Sequence, residues 1–193
     1  MGTRGLYGFR KNNKDKVTYN HWDSYPEWLG NNVLRFINGH TIEELENICE
    51  NLILVNENDK PTDEQIEKCK KYADLTVSSR DYNDWYCLLR GSQGDLEPWG
   101  EGLNYIIDNH DFIKDSLFCE YAYIINLDTY ELEFFKGFQH VPDYLGRYGV
   151  EKSDGYYPCK LVLKIDLEEI IAADDIESFI KEMEGCECET SEL

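Results

Sequence analysis

Positive charge is scarce in this chain. Nineteen Lys and Arg stand against 39 Asp and Glu over 193 residues, a formal net charge of −20. Affinity for nucleic acid rests on basic contacts to phosphate, so an acidic body excludes direct nucleic-acid binding. No apolar run reaches the length of a bilayer-spanning helix, and no secretory leader pattern opens the sequence; the expectation is a soluble, cytoplasmic protein with no membrane contact. Seven cysteines, an odd number, lie scattered in mostly apolar or helical contexts, as reduced buried thiols do. Cys186-x-Cys188 has no second pair, and His40, His110 and His140 share no ligand spacing, so no metal and no cofactor is expected. A Walker loop, a dinucleotide fingerprint, a serine nucleophile elbow and internal repeats are also lacking.

What is present is a folded composition: 41% hydrophobic residues and 13% aromatics, with 14 Tyr and 4 Trp. A chain of this length suits one domain and needs no disulfide staple, since it buries roughly 70% of its unfolded surface. Charge is uneven. Residues 1–16 hold Arg4, Arg10, Lys11, Lys14 and Lys16 against Asp15, a local +4, which leaves −24 on the other 177 residues. The basic N-terminal segment is the one place that would welcome an anion.

Glycine-broken alternation over Thr3–Arg10, the polar run Lys11–Lys16 and the β-favouring residues that follow predict a hairpin with strands 3–10 and 16–22. Gly5 and Gly8 suggest a bulge or a close backbone approach. Asp23-Ser24-Tyr25-Pro26 ends that hairpin and offers a cap for a helix over about 26–38. Thr41-Ile42-Glu43-Glu44 and Thr62-Asp63-Glu64-Gln65 are capping boxes that open further helices. Residues 80–90 read as helix, 91–102 as loop and 103–117 as a mixture of short helix and turn. The aromatic and β-branched runs 119–127 and 131–138 form the clearest hairpin, and 160–165 alternates as one more strand. The fold expected is α+β: a single mixed or antiparallel sheet built from the N-terminal hairpin and the later strands, with a helical middle segment packed on it. Residues 1–185 make one domain, 40–115 being mainly helical insertion, and the acidic residues 186–193 a frayed tail.

The densest set of hydrogen-bonding and titratable groups precedes the first long helix. Tyr19, His21 and Asp23 share one strand face, while Asn20 and Trp22 take the other. A His21–Asp23 imidazole–carboxylate pair on that face would serve as a ligand clamp or a general base. Arg4 and Arg10 would offer guanidinium forks to phosphate or carboxylate. The candidate ligand-binding set is therefore Arg4, Arg10, Tyr19, Asn20, His21, Asp23, Ser24 and Tyr25, with no catalytic residue assigned. The plain alternative is that Asp23 or Ser24 merely caps the next helix and His21 is an ordinary strand residue. The hairpin-first layout is similar to that of the N-terminal nucleophile hydrolases, but removal of Met1 would expose Gly2, which has no nucleophile.

MGTRGLYGFR, YNHWDSYPEWLG and EYAYIINLDTYELEFFKGFQ resemble a family of small uncharacterised proteins from phages, bacteria and some fungi, which open on a Gly-Thr-Arg-Gly segment and carry a Tyr-Asn-His-x-Asp-Ser-Tyr-Pro motif. The resemblance covers residues 1–30 and 120–139 and brings no activity with it. It implies a context: phage accessory proteins that act against host defences. Three functional expectations follow: a binder that sequesters a small anionic, nucleotide-like signalling molecule; an acidic inhibitor or DNA mimic that docks on a host defence protein; and a hydrolase that uses His21 and Asp23 on such a nucleotide. Self-association stays open.

Overall fold

The computed structural model describes residues 2–190, with side chains over residues 2–186. Strands β1 (Gly5–Lys11) and β2 (Lys14–Asn20) form the N-terminal hairpin. Its two-residue turn places Asn12 and Asn13 at φ +54 and +58, values that this turn demands and asparagine tolerates. Gly8, at φ +149, faces β2 so closely that a Cβ would stand 2.2 Å from the Lys16 carbonyl oxygen. The glycine is required by close approach, one of the two roles its position suggested.

The chain then makes a π-helical turn at Pro26–Gly30 and continues into α1 (Asn31–Asn38), α2 (Ile42–Asn51), β3 (Ile53–Val55) and α3 (Asp63–Cys69). After these come α4 (Trp85–Leu89), α5 (Glu97–Gly100), β4 (Tyr105–Ile107) and a 3-10 turn at His110–Lys114. The sheet resumes with β5 (Tyr121–Asn126), β6 (Glu131–Lys136) and β7 (Lys160–Asp166), and the chain closes with α6 (Leu167–Ala172) and α7 (Glu177–Thr190). The five-stranded order is β2-β1-β5-β6-β7. β1 runs parallel to β5, pairing Gly5 with Tyr121, and the other neighbours are antiparallel. The fold is α+β with a mixed sheet, and the N-terminal hairpin joins the later strands across the helical middle.

One face of the sheet carries Tyr7, Phe9, Tyr123, Ile125 and Phe134 against the apolar side of α1 (Val33, Leu34, Phe36, Ile37) and against Trp99. Tyr7 stacks on Trp99 with centroids 5.3 Å apart. The other face, with Leu6, Val17, Ile124 and Phe135, is covered by loops that contribute Ile113, Cys119 and Cys159. Residues 137–159 form a strap there. It is anchored by Arg147, whose Nη1 donates to Glu133 Oε1 at 2.9 Å while Nη2 takes the second carboxylate oxygen. The Tyr148 hydroxyl donates to Asp15 at 2.9 Å. Cys49, Cys69, Cys87, Cys119 and Cys159 are buried free thiols. Among the described residues no helix is long and apolar enough to cross a membrane.

Both capping boxes form: Thr41 Oγ1 accepts from the Glu44 amide at 3.3 Å and Thr62 Oγ1 from the Gln65 amide at 3.3 Å, each reciprocated. Three expectations need correcting. The segment 26–38 is a π-helical turn followed by α1, and Tyr25 occupies the cap position with no side-chain hydrogen bond. Residues 103–117, read as short helix and turn, also contain β4, which pairs in parallel with β3; three-residue strands are too short to show a period. Finally, α7 continues to Thr190 through the start of the segment read as a tail. No Pro or Gly follows Gly185 to stop it, and residues 191–193 lie outside the described ones.

Candidate functional site

Tyr19, near the end of β2, and His21 just beyond it lie on the same side of the chain, as strand alternation requires. The Tyr19 hydroxyl stands 2.6 Å from His21 Nδ1. Phe112 meets the Tyr19 ring edge-on at 5.1 Å, and Trp22 does the same to the imidazole at 4.4 Å. Burial lowers the His21 pKa below its ordinary 6.5, and the positive charges of Arg90 and Arg4 lower it further. Burial raises Tyr19 above its ordinary 10.0 against the opposing charge of Arg4. Both groups are thus neutral near pH 7. We assign the phenol as donor to Nδ1, which leaves the Nε2 hydrogen facing away from Tyr19.

A cleft of about 240 Å³ opens beside Tyr19, and His21 is not among its lining residues. Thr18 and Tyr19 of β2 form one wall, Tyr86 of α4 and Gln93 another, and Asn109 and Phe112, beyond β4, close the third. The Asn109 side-chain oxygen accepts from the Tyr19 backbone amide at 3.1 Å and from the Thr18 hydroxyl at 3.3 Å. The Gln93 oxygen accepts from Arg90 Nη1 at 2.7 Å. A backbone N–H and a guanidinium can only donate, so the orientation of both amides is fixed by chemistry. Among the described residues neither amide nitrogen donates to a protein acceptor, so both remain available as donors. Glu57 stands exposed at the mouth, its carboxyl raised above the ordinary range by partial burial and then by Asp84. The lining is rich in donors, carries the Glu57 carboxylate, and feels the positive charge of Arg4 and Arg90 at Tyr19.

The structure divides the sequence-read candidates. Arg4, Tyr19 and His21 share one electrostatic neighbourhood, the Arg4 guanidinium lying 5.1 Å over the Phe118 ring. Arg10 sits at the far end of β1, roughly 20 Å from Arg4 by strand rise, and is paired with Asp15 at 2.7 Å. Asn20 and Ser24 are buried and bonded to each other at 2.9 Å. The Ser24 carbonyl accepts from the Tyr123 hydroxyl at 2.9 Å, so both residues fix the turn and face no solvent. Tyr25 is partly exposed beside Tyr121, ring centroids 6.1 Å apart.

The expected His21–Asp23 pair does not form. Asp23 adopts φ +51, which ends the strand alternation that would have put its carboxylate beside the ring. Among the described residues no hydrogen bond joins the two, and Tyr19 holds Nδ1 instead. Arg90, Gln93, Asn109, Tyr86 and Glu57 were missed by sequence reasoning, since each sits in a segment with no local motif and the fold alone brings it to β2. Asp108 and His110 form an exposed pair at 2.7 Å. Among the described residues no group of three or more His, Cys, Asp or Glu is placed to hold a metal ion. Comparison with protein-family models, curated proteins and solved structures finds no match.

Proposed function

We propose that this protein binds and sequesters a small anionic, nucleotide-like molecule in the cleft beside Tyr19. The setting is the one the resemblance implies, a phage accessory protein in the cytoplasm of a bacterial host, where the ligand would be a defence signal. The observation that carries the reading is the fixed orientation of Asn109 and Gln93, which leaves donors facing a cleft whose Tyr19 wall feels the positive charge of Arg4 and Arg90. Tyr19, Tyr86 and Phe112 supply ring surface for a base. The volume suits one nucleoside unit better than a large ligand.

The test is a thermal-shift screen with AMP, ADP-ribose and cyclic dinucleotides, followed by chromatography of each mixture. A ligand that binds only the folded state raises the melting temperature. The double variant Arg4→Ala/Arg90→Ala is expected to weaken binding at least a hundredfold with little change in the unliganded melting temperature. Unchanged affinity in that variant overturns the reading, and recovery of a chemically altered nucleotide replaces sequestration with hydrolysis.

A second reading, an acidic inhibitor that docks on a host defence protein, draws support from the strap. Its tip presents Val141, Tyr144 and Leu145 to solvent, Leu145 at 99% exposure, on a base anchored by Arg147. Apolar side chains held out from a charged surface suit protein contact. Low-salt pull-downs that retain a basic protein on the wild type but not on Tyr144→Ser/Leu145→Ser would favour it, and equal retention would exclude the strap.

A further inference from the structure

A larger cavity, about 500 Å³, lies between the C-terminal end of α2, the turn after α3 and the segment that joins α5 to β4. It shares no lining residue with the Tyr19 cleft, and its chemistry differs. Asn51 Nδ2 donates to the Asn47 backbone oxygen at 2.8 Å and to its side-chain oxygen at 3.1 Å. That leaves the Asn47 amide nitrogen as a donor and the Asn51 side-chain oxygen as an acceptor, side by side on one helix face. Lys71 and Glu101 add a second donor and acceptor across the cavity.

Tyr72 lines the same wall. Its buried hydroxyl has no hydrogen-bond partner among the described residues. The Lys71 ammonium stands nearby but over the ring face, 4.7 Å from its centroid. Trp99 and Leu103 contribute apolar surface, and Gly102, at φ +100 with open space where a Cβ would stand, keeps the rim low. Lys68, also in the lining, is tied to Glu64 at 2.9 Å, so the cavity carries no surplus of cations and is not built for an anion.

Alternating donors and acceptors beside an aromatic wall match a ligand whose groups both donate and accept, and hydroxyls are such groups. We infer that this cavity binds a small neutral saccharide or polyol. The inference is independent of the anion cleft.

The experiment is saturation-transfer NMR on the full chain with ribose, glucose, maltose and N-acetylglucosamine as probes, repeated on Asn47→Ala/Asn51→Ala and on Glu101→Gln. The substituted side chains lie at the cavity surface, and a thermal melt of each variant confirms folding. At least one sugar is expected to show transfer, weakened tenfold or more in the double variant and reduced in Glu101→Gln, while Arg4→Ala/Arg90→Ala leaves it unchanged. Absence of transfer from every sugar, or equal transfer in wild type and both cavity variants, overturns the inference.

Discussion

The Tyr19 hydroxyl lies 2.6 Å from His21 Nδ1, two residues further along the same strand face, and the carboxylate of Asp23 takes no part in that contact. A phenol holds the ring without lending it charge. The imidazole is therefore oriented and stays neutral near pH 7.

In an NMR titration of the unliganded protein His21 should show a midpoint below the ordinary 6.5, because burial and the charges of Arg90 and Arg4 oppose its protonation. The sign for stability follows. A depressed folded pKa contributes stability that is present above pH 6.5 and is lost as pH falls through the folded midpoint. A bound anion should move that midpoint upward and bind more tightly at lower pH. A midpoint at or above 6.5 without ligand would contradict the electrostatic picture of the cleft.

Glu133 is 2% exposed and depends on Arg147 for its charge balance. Arg147→Met is expected to destabilise the fold by about 3–5 kcal/mol in urea unfolding, since it strands a buried carboxylate. The double variant Glu133→Leu/Arg147→Met should recover most of that loss, because burying an ion pair gains little over burying apolar groups. A single variant within 1 kcal/mol of wild type, by the same scale, would show that the strap is not held from Glu133.

Lys16 reaches from β2 to the end of α2, where its ammonium donates to the carbonyls of Cys49 and Leu52, each at 2.7 Å, and of Glu50 at 3.3 Å. Lys16→Met keeps the stem but removes the donor from three orphan carbonyls, and should cost about 1–2 kcal/mol. Hydrogen exchange should show the loss first in the last turn of α2; uniform loss across the molecule would mean that this contact is not local.

Gly8→Ala should be more damaging than its size suggests. The added methyl meets the Lys16 carbonyl oxygen at 2.2 Å, and the φ of +149 strains any other residue. A cost above about 2 kcal/mol is expected, measured by chemical denaturation, with the strain confined to the pairing of β1 with β2.

Much of this fold is legible in the sequence because its signals are local. Thr41 and Thr62 announce their helices through side chains three residues apart. The runs around Tyr121–Asn126 and Glu131–Lys136 show a hairpin by composition alone. Other features are not local. Nothing near Ile53 indicates a parallel partner at Tyr105, and nothing near Arg90 or Asn109 points to Tyr19. For Arg10 the sequence allows either a ligand fork or an internal ion pair, and the hairpin turn decides it by bringing Asp15 back to the guanidinium. At Asp23 a single residue with positive φ was enough to undo a face assignment that alternation made for Tyr19 and His21.

The parallel pairing of Gly5 with Tyr121 sets the order in which the protein can be completed. As the chain emerges during synthesis, the hairpin can close early, but the edge of β1 that will meet β5 stays open until Asn126 has followed. An open strand edge carrying Leu6, Tyr7 and Phe9 is a template for the wrong partner, and contacts so distant in sequence form slowly. The hairpin that supplies Thr18 and Tyr19 to the cleft is therefore made first and secured late, and a fragment that stops short of Asn126 would carry most of the site on an unprotected edge.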